Sequence, residues 1–295
     1  MADKLVRGNS MDGAIRVFAA VTTELVNEAQ RIHQTYPVAT AALGRLLTGA
    51  AIMGAASLKN ETDSLTLQIK GEGEIKDLVA VTDNHSRVRG YISNPYIDRP
   101  LNKLGKLDVG GAVGGGYLSV IRDLGMREPY IGQIPLISGE IAEDLTYYFA
   151  KSEQVPTSVA LGVLVDTDNT AIAAGGFMIQ LMPEADDATA QRLEEILKNI
   201  PPVTTMISEG MNAEDILFRV TEGFDMICEN KAVTPKYECK CSRERMERAL
   251  ISIGKTELQS IIDEQGEAEM TCRFCDKKYN FTKKELEDLL KQAKH

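Results

Sequence analysis

The 295-residue sequence predicts an α+β chain in three parts: a mixed α+β body over 1–182, a helical linker over 183–232 and a small C-terminal unit over 233–295. Three observations predict it. Strand-like runs alternate with helix pairs rather than in a regular β-α-β series. The texture changes after Met182, where short helical patterns are interrupted by Pro201-Pro202. Four of the five cysteines fall in the last part, in two close pairs.

Within the body, AIRVFAAVT (14–22) reads as a strand, and ELVNEAQRIHQTY (24–36) and VATAALGRLLTGAAIMGAASL (38–58) as helices. The second is rich in small residues, which suits a closely packed, buried helix. SLTLQIKG (64–71) alternates apolar and polar with period two, and KDLVAVTD (76–83), RVRGYIS (87–93) and GYLSVIRD (116–123) continue the strand pattern. EIAEDLTYYFAKSE (140–153) has helical spacing, with Ser138 available as its cap. TSVALGVLVD (157–166) and NTAIAAGGFMIQLM (169–182) read as two buried strands joined by a polar turn.

The linker contributes ATAQRLEEILKNI (188–200) and AEDILFRVTEG (213–223), the latter capped by Asn212 with Asp215 in its first turn. In the last unit, SRERMERALISIG (242–254) is a helix closed by Gly254. Thr256 with Gln259, and Thr282 with Glu285, form capping boxes for two more helices, the second running to Lys294. Between them EAEMTCRFCDKKYNF (267–281) reads as strand, turn, strand.

Composition excludes several classes. The net charge of -10 disfavours a duplex nucleic-acid binder, which needs a basic face for phosphates. The first 21 residues carry Lys4, Arg7, Asp12 and Arg16 and hold no secretory apolar run. The most apolar stretch, residues 46–58, is too short to span a bilayer. A cytosolic protein is expected. In that compartment paired cysteines are metal ligands or redox centres more often than structural disulfides.

The last unit carries the chemistry. Cys239 and Cys241 form C-x-C; after a gap of 30 residues, Cys272 and Cys275 form C-x-x-C. Two such pairs on turns can converge on one tetrahedral zinc ion, because short spacings bring the sulfurs together in advance. C-x-x-C alone is common; its combination with C-x-C nearby is far more specific. Lys240, Arg243, Arg273, Lys277 and Lys278 flank the pairs and offset the charge of four thiolates on Zn²⁺. Cys241 also precedes a helix start, where an anion is favoured. An inert zinc staple and an oxidant-sensitive centre share this pattern. Two features favour the second: each pair can close on itself, and thiolates beside cations oxidise first. A unit of 63 residues has a thin core margin, so metal ligation at about 10–16 kcal/mol is folding free energy for it. Oxidation of the ligands should release zinc and unfold the unit.

Other signals are weaker. DVGGAVGGGYL (108–118) lacks the G-K-[ST] of a phosphate loop and reads as a flexible turn. The histidines are His33, expected on a helix surface, His85 and His295, with no zincin or triad spacing. Glu140, Glu143 and Asp144 read as a solvated helix start, and Cys228 as a buried core cysteine, with a fifth redox-active thiol as the alternative. In 233–295, 13 Lys and Arg balance 12 Asp and Glu, a poor footprint for RNA. A thiol–disulfide oxidoreductase would set one C-x-x-C after a strand, rather than two pairs in one small unit.

The cysteine pattern, RGNSMDGAIRVFAAVTTELV (7–26) and GYLSVIRDLGMREPYIGQIPLISGEIAEDLTYYFAKSEQVPTSVALGVLV (116–165) together resemble the redox-regulated 33-kilodalton heat-shock proteins of bacteria. The likeness runs from about residue 5 to 290, without departure at the four ligand positions. It implies a chaperone body, a helical linker and a C-terminal zinc domain, and a non-enzymatic, ATP-independent holdase. It further implies that oxidants form disulfides Cys239–Cys241 and Cys272–Cys275, that zinc leaves, and that the protein then binds unfolding clients, often as a homodimer. Leu193, Ile196, Leu197 and Ile200, at helical spacing in the linker, are the expected client-binding positions, covered until zinc is lost.

Overall fold

The computed structural model describes residues 2–293; Met1 lies outside them, as do Lys294 and His295 at the end of the last expected helix. The chain divides into two compact units, Met1–Glu238 and Cys239–His295. The first unit begins with β1 (Lys4–Ser10), β2 (Ile15–Val21), α1 (Thr23–His33) and α2 (Pro37–Ser57). Strands β3 (Ser64–Gly71), β4 (Asp77–Asp83) and β5 (Arg87–Ile92) follow, then the short helix α3 (Val109–Val113). Strands β6 (Gly116–Asp123) and β7 (Tyr130–Pro135) precede α4 (Ala142–Tyr148), which runs on as one π-helical turn, Phe149–Glu153. Then come β8 (Thr157–Val165), β9 (Ala171–Leu181), α5 (Asp187–Asn199), α6 (Val203–Ser208), α7 (Ala213–Val220), β10 (Met226–Cys228) and β11 (Lys236–Tyr237).

These strands form two sheets, of order β10-β1-β2-β9-β8 and β11-β5-β4-β3-β6-β7. Period-two sequence makes β3 and β5 one-sided, with alternate residues buried, whereas β2, β4 and β9 are buried nearly throughout. Helix α2 packs on β3, β4 and β5 of one sheet and on β8 and β9 of the other. It is buried nearly all round, which its Gly- and Ala-rich sequence permits. A methyl group at Gly44 would lie 2.9 Å from the side chains of both Val26 and Val163, so only glycine lets α1, α2 and β8 approach this closely. Its bounds match the helix expected over 38–58 to within a residue, and it extends well beyond the 13-residue apolar run whose length argues against a bilayer span. It is long and apolar enough to cross a bilayer, yet 89% of that window is buried inside the protein, as a core helix is.

A second core lies on the five-stranded sheet, where Leu193 of α5, Val203, Met206 and Ile207 of α6 and Ile216, Leu217 and Val220 of α7 pack against residues of β1, β2 and β9. Asn212 caps α7 as its sequence predicts, with a reciprocal bond from Asp215. The second unit is built from α8 (Arg243–Ser252), α9 (Lys255–Glu264), a hairpin β12 (Glu267–Thr271) and β13 (Lys278–Thr282), and α10 (Lys283–Leu290). Its core is small: Leu250, Leu258, Ile262, Tyr279, Phe281, Leu286 and Leu289.

Several local expectations are corrected. Ser138 does not cap α4; the cap is Ile141, held at φ 69°. The buried Asp144 carboxylate accepts from the amides of Ile137 (2.7 Å), Ser138 (3.1 Å) and Ile141 (3.0 Å), so this is no solvated helix start. Glu140 pairs with Arg45 of α2. The Thr256–Gln259 box does not form, because α9 begins earlier, at Lys255, with Gly254 (φ 92°) as its cap. The Thr282–Glu285 box does form. The glycine-rich stretch 108–118 holds α3, closed at its start by the Asp108 carboxylate on Gly111 N–H (3.1 Å).

Helix α1 is capped from a distance. Thr22 makes no capping bond; the buried Asp3 carboxylate accepts from Glu24 N–H (2.9 Å) and Leu25 N–H (2.7 Å). Burial pushes Asp3 up from 3.8 to about 6, against the pull of those two amides. Its stabilisation is therefore full below about pH 4 and is lost as pH rises through about 6. Chemical denaturation of wild type and Asp3→Asn should show their stability difference moving against the wild type between pH 4 and 7, by on the order of 2 kcal/mol.

Candidate metal centre

The hairpin positions one pair of cysteines. β12 and β13 pair from Glu267↔Thr282 to Thr271↔Lys278. At its tip Cys272 N–H donates to Lys277 O (3.0 Å), while Cys275 N–H (3.2 Å) and Asp276 N–H (2.8 Å) donate to Cys272 O. Asp276 takes the left-handed conformation (φ 56°) that reverses the chain, one an Asp adopts readily. Cys272 and Cys275 thus project from one tight knuckle. The other pair lies ahead of α8, whose Ser242 cap accepts from Arg245 N–H (3.4 Å).

The two turns bring all four sulfurs within 4.8 Å of one another. Cys239 Sγ lies 3.7 Å from Cys272 Sγ, and Cys241 Sγ 3.4 Å from Cys275 Sγ. Tetrahedral zinc with Zn–S bonds of about 2.3 Å would separate its ligands by about 3.8 Å. The donor set and spacing therefore fit a single soft, tetrahedral ion with no change of fold. The five cysteines of the chain are all free thiols.

Electrostatics agree with a site that wants a cation. Burial pushes Cys239 above the ordinary thiol range and Cys275 up to about 11. Burial opposes ionisation of Cys241 as well, but hydrogen bonds from the Tyr279 hydroxyl (3.1 Å) and the other thiols outweigh it and hold this thiol low. Donating to Cys241 pushes the Tyr279 phenol up to about 12. Burial thus favours the protons on Cys239 and Cys275. A bound metal must displace them, so binding weakens in acid.

Not all of the flanking cations act on the cluster. Arg243 bonds Glu285 (2.7 Å) and Asn280 O (3.1 Å) and lies over the Phe281 ring, which ties α8 to the hairpin and α10. Lys278 pairs with Glu269 across the hairpin. Tyr279 is the functional residue that sequence spacing missed. A tyrosine four positions after Cys275, on the strand leaving the knuckle, was its one signal.

The remaining expected site residues lie in the first unit. Leu193 is buried; Ile196, Leu197 and Ile200 are half-buried. Leu193, Leu197 and Ile200 pack into the core on the five-stranded sheet, whereas Ile196 and Ile200 line a cleft of about 330 Å³ with Arg192, Glu195, Asn199, Arg219 and Glu222. Cys228 is half-buried on the edge strand β10, its thiol raised chiefly by burial. His33, expected on a surface, is half-buried, with Nε2 3.0 Å from Gly90 O and 3.1 Å from the Tyr237 hydroxyl.

A family model described as "Hsp33 protein" matches residues 3–282, a span that includes all four clustered cysteines. The chain belongs to the Hsp33 family. Among its Hsp33 relatives, the 33 kDa chaperonin of Clostridium beijerinckii is 51% identical over 100% of both chains. That of Acetivibrio thermocellus is 50% identical over 99% of this chain and 98% of its own. The crystal structure of the Thermotoga maritima 33 kDa chaperonin, a heat shock protein 33 homolog, superposes with a TM-score of 0.90 at 38% identity, covering 99% of each chain. The resemblance drawn from the cysteines and from residues 116–165 thus points to the right Hsp33 family, and the mixed α+β class is the class observed.

Titration of the reduced protein with Co²⁺ should saturate at one equivalent, with the visible absorption of a tetrahedral thiolate site. Tyr279→Phe should weaken Co²⁺ binding about 10–100-fold by removing the donor on Cys241. Unchanged affinity would assign the hydroxyl no part in the site.

Proposed function

We propose that this protein is a redox-regulated holdase chaperone, kept idle by zinc. The observation that carries the reading is the convergence of four thiols, within 4.8 Å, in a unit whose described residues form a core of seven buried large apolar side chains. Cys239, Cys241, Cys272 and Cys275 hold one Zn²⁺ in the reduced state. Ligation at about 10–16 kcal/mol then exceeds what so small a core supplies alone.

Oxidation removes that support. Hydrogen peroxide takes two electrons from each pair of thiolates and two protons from solvent, forming one S–S bond and two waters per disulfide. The pairs Cys239–Cys241 and Cys272–Cys275 close, and Zn²⁺, left without thiolates, departs. The unit 239–295 loses its fold, and the linker 183–232 loosens with it. Helix α5 is suited to this: Leu193 is its only fully buried side chain among the described residues, so its local stability is low. Leu193, Ile196, Leu197 and Ile200 then meet apolar segments of unfolding clients. The activity needs no ATP and no catalytic residue, and the active form is a homodimer. Similarity to proteins named 33 kDa chaperonin supports the chaperone role. The reducing cytosol is the compartment in which such a switch stays closed.

Peroxide treatment of the zinc-loaded protein should release one zinc and consume four thiols. Suppression of client aggregation should rise by an order of magnitude or more in step. A reduced, zinc-loaded sample already as protective as the oxidised one would remove the switch. Serine at all four positions should abolish zinc binding and oxidant dependence together.

A further inference from the structure

The residues just ahead of the first zinc-ligand position close a sheet edge. In the six-stranded sheet, β11 is two residues long and runs parallel to β5, pairing Lys236 with Arg87 and Tyr237 with Val88. Lys236 N–H donates to Ser86 O (3.1 Å) and Glu238 N–H to Val88 O (2.8 Å). At the next outward-facing position backbone pairing stops and a side chain takes over. The Tyr237 hydroxyl donates to Gly90 O (2.7 Å) and accepts from Gly90 N–H (3.3 Å). One phenol thus replaces the peptide group that a longer strand would bring, with the His33 ring beside it at 6.3 Å between centroids. Residues 236–238 meet the outward carbonyls of Ser86 and Val88, and at Gly90 the Tyr237 hydroxyl shares the carbonyl with His33 Nε2 (3.0 Å).

This cover is minimal, and it is joined directly to Cys239. An edge with unpaired amides and carbonyls is a template for another extended chain. The β5 face is suited to one: Val88, Gly90 and Ile92 are anchored in the core, so the strand stays rigid when its cover leaves. We propose that the outer edge of β5, residues 86–92, is a docking strand for an extended segment of an unfolding polypeptide, closed by residues 236–238 in the resting state. The occupant seen on it is itself an extended segment, seated by backbone bonds, and that mode of recognition reads main chain rather than sequence. This tolerance is what a binder of many unfolded chains requires. The inference rests on the chaperone reading and adds a second, backbone-reading surface to it.

The test uses the full chain with benzoylphenylalanine in place of Arg87, and in place of exposed Ile172 as a control. After peroxide treatment, each is irradiated with reduced, carboxymethylated α-lactalbumin, a permanently unfolded chain. Position 87 should cross-link at least fivefold more than position 172, and little before oxidation. In a companion measurement, Tyr237→Phe should speed amide exchange at Gly90 at least tenfold in the reduced, zinc-loaded protein. Intact aggregation suppression with equal cross-linking at 87 and 172 would overturn the docking strand alone. Cross-links from 87 to a second copy of the chain instead of the probe would overturn it too. Loss of aggregation suppression in the oxidised wild type would bring down the chaperone reading, and this inference with it.

Discussion

The account depends on four sulfurs meeting at one point. Cys239 and Cys241 arrive on the chain ahead of α8, and Cys272 and Cys275 on a hairpin knuckle some thirty residues later, yet all four lie within 4.8 Å. The surroundings of three of these sulfurs conflict electrostatically. Burial resists ionisation at Cys239 and Cys275, and the Tyr279 hydroxyl favours one thiolate at Cys241. A soft dication held by all four as thiolates would resolve the conflict. In the proposed switch the same chemistry would make the site a point of failure, since an oxidant that pairs the sulfurs removes every ligand at once.

The rest of the molecule divides by how much it depends on that point. The first core, with α2 between two sheets, is large and owes nothing to the cysteines. The unit after Glu238 has few buried side chains, and its internal ties, such as Arg243 to Glu285 and Asn280, are exposed and weak one by one. Between these extremes lie α5, with one fully buried side chain, and β11, with two residues. A graded fold of this kind lets one local event release a part of the protein and leave the scaffold standing.

The sequence was most legible where the determinants are close together along the chain. The cysteine spacings, the hairpin around Cys272 and Cys275, the Asn212 and Thr282 caps and the alternation in β3 and β5 all rest on residues within a few positions of each other. What it concealed are contacts made at long range. Asp3 caps α1 from about twenty residues away, β1 pairs with β10 more than two hundred residues later, and Tyr237 closes Gly90 across 147 residues. Asp144 was misread for a related reason: a carboxylate at a helix start looks solvated until the loop of Ile137 and Ser138 folds over it. Tyr279 was hidden because an aromatic residue on a strand reads as core, and it is core, with its hydroxyl alone turned to Cys241.

Amide hydrogen exchange of the reduced protein, with and without a strong chelator, tests the central claim most directly. The account predicts that β12, β13 and α10 are protected with metal bound and exchange freely once it is stripped, while α2 stays protected throughout. Protection of β12 and β13 that survives complete removal of the metal would contradict it.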